Sequence, residues 1–211
     1  MITATVDLRP KLLPVRDQGR RQSCLAFASS TAHEHQAAPG EHLSVEYLFF
    51  HAVERTPGKN PGAGTTMLAT AEALAQAGQP LETVWPYTPD QKAPWSPPTL
   101  STAPLKTKMV PSKLGFADLI LALDQGNPVV LGLVITDAFF RPDGHGLVPD
   151  RDPDPERGGH AVLAIGHGHA PNGQPAILIR NSWGSGWGVT GHAWLSDAYL
   201  ARHLHETATL T

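Results

Sequence analysis

Cys24 is the only cysteine of the chain, and it stands where the polar run Asp17-Gln18-Gly19-Arg20-Arg21-Gln22-Ser23 gives way to the apolar Leu25-Ala26-Phe27-Ala28. That change of texture predicts a helix beginning at the cysteine. A thiol in a first helical turn feels unpaired N–H groups and the positive end of the helix dipole, and both favour thiolate. Arg20 and Arg21 push the same way where they lie near it. Taken alone, a lone cysteine is more often a small buried hydrophobe. A second reactive candidate is His160, which opens the apolar strand His160-Ala161-Val162-Leu163-Ala164-Ile165 after the flexible pair Gly158-Gly159. By itself, a histidine at a strand edge is more often structural. The third segment is Asn181-Ser182-Trp183-Gly184-Ser185-Gly186-Trp187-Gly188, a polar amide at a strand end followed by two tryptophans among glycines. Packing of tryptophan under a glycine-rich turn leaves unexplained why two large aromatics crowd one amide. His167 and His169 near His160 bring no cysteine or carboxylate at ligand spacing, so neither a metal nor another cofactor is expected.

Read together, the three segments resemble the papain-like cysteine peptidases. Gln18 stands six residues before Cys24, and Ser23, Ala26 and Phe27 fill the family's Q-G-x-x-x-S-C-x-A-F frame. His160 follows Cys24 by 136 residues in an H-A-V strand, within the ~130–150 that the family shows. The N-S-W-G-x-x-W-G motif is present verbatim from Asn181 to Gly188. Weaker echoes extend over nearly the whole chain, in Leu43-Ser44-Val45-Glu46-Tyr47-Leu48 and Trp85-Pro86-Tyr87. The resemblance implies Cys24 as nucleophile paired with His160 as imidazolium, and Gln18 as an oxyanion donor. It implies Asn181 as the group that orients the histidine, and Trp183 as the screen over that hydrogen bond. The resemblance also places Ala63, Gly64, Thr65 and Thr66 along the acyl side of the cleft, and Val134, Gly159 and Trp183 join Gly64, Thr65 and Thr66 as candidate substrate-binding residues. Two threonines and a valine suggest a modest pocket without strong charge.

The chain also departs from that pattern. Arg21 stands where secreted relatives carry a disulfide cysteine, Gln22 where a glycine is usual, and Leu25 where a tryptophan is usual. Gly159 precedes the histidine where plant relatives have Asp. The mature-type pattern begins at Asp7-Leu8-Arg9-Pro10, which leaves no room for an inhibitory propeptide and suggests restraint by an inhibitor or immunity protein instead.

The elements that must position these groups divide unevenly along the chain. Helices are expected from Ser23 as N-cap to Pro39-Gly40, from Ser44 as N-cap to Pro57-Gly58, and over about 65–77 with Leu68, Ala71, Leu74 and Ala75 inward. Seven prolines between Pro86 and Pro111 exclude a helix interior or central strand there and suggest an extended crossing. A short helix with Phe116, Leu119, Ile120 and Leu123 on one face precedes strands at 129–134, 160–166, 176–180 and 192–195. This predicts an α+β fold, and the resemblance makes it papain-like. One domain over 1–211 is expected, with a helical lobe about 15–105, a β-barrel-like lobe about 106–205, the N-terminal segment packed on the latter, and the cleft between lobes.

Composition sets the outer limits. Of 211 residues, 41% are hydrophobic and 17% charged, which supports a packed core and excludes a disordered tail. Gly and Pro number 20 each, a loop-rich count still below the ~25–30% of low-complexity chains. A net charge of −3 calls for no nucleic-acid or membrane partner, and a peptide or protein substrate is expected. One cysteine permits no internal disulfide. No apolar run suits a signal peptide or span, which suggests a cytoplasmic protein or one exported by a dedicated system. Residues 141–157 hold Asp143, Asp150, Asp152, Asp154 and Glu156, while residues 7–21 hold Arg9, Lys11, Arg16, Arg20 and Arg21. The bland reading of the acidic run is a solvated loop. A sharper one has the two segments meet over the cleft as a salt-sensitive lid.

Overall fold

The structure, a computed structural model, describes residues 2–90, 93–170 and 172–211. Among these, five helices and seven strands form an α+β fold. Helix α1, Cys24–Ala37, is buried on nearly every side from Leu25 to Glu34, as befits a helix running through the centre of a core. It ends at Ala38 in the left-handed region. Ser23 does not cap it, because the Ser23 hydroxyl pairs with the Tyr87 hydroxyl at 2.8 Å. The first-turn N–H groups are therefore not claimed by a capping side chain.

Helix α2, Val45–Arg55, is capped as expected by Ser44, whose Oγ accepts from Tyr47 N. Helix α3, Met67–Gln76, starts one residue after Thr66, whose hydroxyl accepts from Ala69 N. That start fixes the rotation of the helix. Met67, Ala71 and Leu74 point inward, whereas Leu68 (64% exposed) and Ala75, both expected inside, face solvent. Helix α4, Phe116–Asp124, buries Leu119 and Leu123, and α5 covers Asp197–His203.

The strands are β1 Thr3–Asp7, β2 Met109–Ser112, β3 Val129–Thr136, β4 Glu156–His169, β5 Pro175–Arg180, β6 His192–Ser196 and β7 Leu204–Leu210. They form one antiparallel sheet in the order β2-β7-β3-β4-β5-β6, with β1 added to β4. Four of these elements, β1, β2, α5 and β7, lie outside the expected set. β2 contains Pro111 and sits at the sheet edge, where a missing N–H costs no ladder bond. The proline-rich stretch before it forms neither helix nor long strand in its described residues; Gln91 and Lys92 lie outside them. No helix of the described residues is long and apolar enough to cross a membrane.

The lid does not form: among the described residues no ion pair joins the two segments, and most of their charges are engaged elsewhere. Asp150 and Asp152 pair with Arg202 of α5, Asp143 accepts from His145 N and Leu147 N, and Asp154 accepts from Ala138 N. On the basic side, Arg9 pairs with Asp7, Arg16 with Glu34 and Glu82, and Arg21 with Glu46.

Candidate active site

Four segments distant in sequence meet at the start of α1. The loop before the helix pairs with the turn after β5: Gln18 N donates to Ser182 O (2.8 Å), Gly184 N donates to Arg16 O (3.2 Å), and Asp17 forms an isolated bridge with Trp183. β4 passes α1 on its other side, so Cys24 and His160 line one cavity of about 490 Å³.

His160 is 7% exposed and Asn181 is 3% exposed. Asn181 Oδ1 receives two bonds, from Ser182 N at 2.8 Å and from His160 Nε2 at 2.7 Å. The backbone N–H can only donate, so the atom it meets is the amide oxygen and the amide orientation is fixed. The imidazole therefore carries a proton on Nε2 and leaves Nδ1 as its unengaged nitrogen. Trp183 covers this pair with its ring 4.7 Å from that of His160, and Phe139 meets the imidazole edge-on at 5.7 Å. Burial pushes the Cys24 thiol up, against backbone N–H groups of Ala161, Leu25 and Cys24 itself that favour the thiolate. Burial likewise pulls His160 down to about 4, against the Asn181 bond. Each shift is the cost of holding one charge alone in a dry site; a proton passed from sulfur to imidazole creates both charges together, where each offsets the other.

Gln18 is 6% exposed and held at three atoms. Its Nε2 donates to Arg21 O (2.7 Å), its Oε1 accepts from Ser182 Oγ (2.6 Å), and its backbone oxygen accepts from the Tyr87 hydroxyl (2.7 Å). One N–H of the amide remains for a ligand.

Gly64, Thr65, Val134 and Gly159 line the same cavity as Cys24. Gly64 needs its lack of a side chain: φ is +81°, and a Cβ there would lie 3.2 Å from Gln22 O. Thr66 is not part of the wall, since its hydroxyl caps α3. Trp183, expected among the substrate-contacting residues, packs on His160 and does not line the cavity. Sequence reasoning also missed a charged wall. Glu206 and His205 of β7 and Arg157 of β4 border the cavity, in place of the expected uncharged pocket. Gly132 of β3 makes this possible, because a Cβ there would approach Glu206 Cγ to 2.7 Å. Among the described residues no three His, Cys, Asp or Glu side chains converge on a metal position, and His167 Nε2 pairs with Asp124.

The family model for papain family cysteine proteases matches residues 2–207. The chain belongs to the papain family of cysteine proteases. Chicken (Gallus gallus) cathepsin K is 31% identical over 210 residues, covering 97% of this chain and 60% of that protein. The cathepsin L-like peptidase of Aedes aegypti is 27% identical, covering 90% of this chain and 58% of that protein. The chain thus spans about three fifths of the length of these relatives. Among solved structures, xylellain, a cysteine protease from Xylella fastidiosa, superposes with a TM-score of 0.84 at 22% identity, covering 100% of this chain and 87% of the other. Bromelain from Ananas comosus, in complex with the E64 inhibitor, gives 0.75 at 19% identity, covering 98% and 97%. This papain-family chain has the family's α+β fold.

Proposed function

We propose that the chain is a cysteine endopeptidase that cleaves peptide bonds through a thioester on Cys24. The observation that carries this reading is the His160–Asn181 bond: it frees Nδ1 of a buried imidazole that shares a cavity with the thiol at the helix start. Cys24 Sγ attacks the scissile carbonyl as His160 Nδ1 holds the thiol proton, forming a C–S bond and an oxyanion. The Cys24 N–H and the remaining N–H of Gln18 donate to that oxyanion. His160 then passes its proton to the leaving nitrogen, the C–N bond breaks, and the amine departs. Water attacks the thioester, gives one proton to His160, and expels Cys24 Sγ, which recovers the thiol. Glu206 on the acyl-side wall favours a basic side chain in that pocket.

Internally quenched peptides incubated with wild type and with Cys24→Ala test the assignment. Hydrolysis is expected with wild type alone, with one equivalent of an epoxysuccinyl reagent labelling Cys24 and stopping turnover. Hydrolysis retained in Cys24→Ala overturns it. Formation of new amides in place of free acids, with amines added, makes the chain a transpeptidase.

A further inference from the structure

A second cavity of about 640 Å³ borders the first, lined by Asp137, Ala138, Phe140, Arg141, Arg151 and Arg157. Arg157 belongs to the walls of both. Phe140, 47% exposed, stacks on Trp183 at 5.2 Å and 20°, and Trp183 in turn lies against His160. The second cavity therefore lies on the histidine's side of the cleft, beyond Trp183, while Gly64 and Thr65 lie on the thiol's side. The acyl group stays on Cys24 and the leaving amine takes its proton from His160, so the departing peptide runs past Trp183 and Phe140 toward this cavity.

Its charge is one-sided. Three guanidinium groups face one carboxylate, Asp137, which is bonded to Arg157 at 2.5 and 2.8 Å. Arg157, with Arg141 adding to it, holds the Asp137 carboxyl below its ordinary range. Among the described residues no carboxylate pairs with Arg141 or Arg151. Most of the acids next to them in sequence are engaged elsewhere, Asp150 and Asp152 with Arg202 and Asp143 in its own turn, while Asp154 accepts from the N–H of Ala138 at the cavity wall and adds to the field on Arg157. An acid-rich segment thus presents an arginine-lined surface to the cleft.

We propose that this cavity binds a carboxylate of the substrate on the leaving-group side of the scissile bond. The inference rests on the endopeptidase reading above. A carboxylate offers a guanidinium two parallel acceptors, and an arginine pair in a shared concavity holds it with little desolvation cost. The carboxylate comes either from an Asp or Glu side chain or from the C-terminus of a short substrate.

Matched quenched peptides test both sources, one set carrying Glu, Gln or Lys at each leaving-side position, the other ending in a free carboxylate or an amide. A preference of roughly three- to tenfold in kcat/KM for the carboxylate-bearing member is expected at low salt, from two or three exposed pairs. It should fall toward one near 1 M salt, where the screening length is ~3 Å. In Arg141→Gln/Arg151→Gln the ratio should also fall to about one, while Arg55→Gln, an arginine remote from both cavities, keeps it. A preference seen with internal Glu assigns the side chain as source, and one seen with the free terminus alone assigns the C-terminus. Cleavage of neutral peptides with no preference in either set, or a preference that survives the double substitution, overturns the inference and leaves the endopeptidase reading intact. No cleavage of any peptide by unlabelled protein, when a parallel aliquot takes up the epoxysuccinyl reagent at Cys24, overturns both.

Discussion

Arg21 occupies the place of a disulfide cysteine in secreted relatives, and its ion pair with Glu46 is expected to hold the oxyanion donor. Arg21 Nη1 and Nη2 donate to the two oxygens of Glu46 at 2.6 and 2.7 Å, with side-chain exposures of 8% and 3%. Trp95 Nε1 donates to Glu46 as well (2.6 Å), Thr88 O accepts from Arg21 (2.9 Å), and the guanidinium lies 4.8–5.8 Å from the rings of Tyr87, Phe49 and Trp95. The backbone oxygen of the same Arg21 fixes the Gln18 amide. Glu46→Gln keeps the volume but leaves a buried cation with one amide oxygen where two carboxylate oxygens stood. Removal of one partner of a buried pair costs about 3–5 kcal/mol.

The double substitution Arg21→Met/Glu46→Leu removes both charges and should recover most of that loss, since apolar replacement of a whole pair is often neutral. Activity should not follow stability. A lost oxyanion donor costs about 10²–10³ in kcat, and a loosened one a part of that, roughly tenfold, with KM little changed. Urea denaturation read beside initial rates separates the two effects. A Glu46→Gln protein destabilised by less than ~1 kcal/mol, or a double variant with wild-type kcat, refutes the reasoning.

Two further outcomes follow from the buried aromatic and imidazole groups. Burial holds His160 and His192 near 4, below the ~6.5 of an exposed imidazole, so the unfolded chain binds more protons between those values. Stability should be full above about pH 6.5 and fall as pH drops toward 4, and the acid limb of kcat/KM should lie well below 6.5; a melting temperature that rises on acidification contradicts this. Trp183 packs on His160, Phe139, Phe140 and Trp187, so Trp183→Ala should cost about 3 kcal/mol and lower kcat more than it raises KM, with Trp183→Phe restoring part of kcat. Full activity per folded molecule would leave Trp183 a packing role only.

The parts of this site legible in sequence are those written locally. Gln18 and Cys24 fall within one loop and helix start, and Asn181 and Trp183 within one turn, so each pair sits inside a short motif whose resemblance to the family's names it as a candidate. The rest depends on contacts across the fold. Nothing near Arg21 announces Glu46, which is 25 residues on, or Trp95 beyond it. Periodicity assigned Ala71 and Leu74 to the inner face of α3 but also Leu68 and Ala75. The capping bond at Thr66 sets where the helix starts, and an apolar count does not contain it. Thr66 itself shows the same limit: a hydroxyl beside Gly64 reads as cleft wall until the backbone N–H it serves is known.

The charged wall was hidden for another reason. Glu206 reaches the cavity because β7 lies beside β3 and Gly132 offers no Cβ, two facts separated by more than seventy residues. A glycine inside an apolar strand signals close approach by something, yet only the strand order identifies a carboxylate. The same logic explains how the site is assembled with a single cysteine. Backbone pairing of Arg16 and Gln18 with Gly184 and Ser182 ties the oxyanion loop to the Asn181 turn. Arg16 then bonds Leu43 O, Ser30 Oγ and Glu34, and Arg180 bonds Pro14 O. The Cys24 helix, the Gln18 loop and the Asn181 turn are thus cross-linked by arginines and main chain, so their relative positions depend on charge and packing and not on a disulfide.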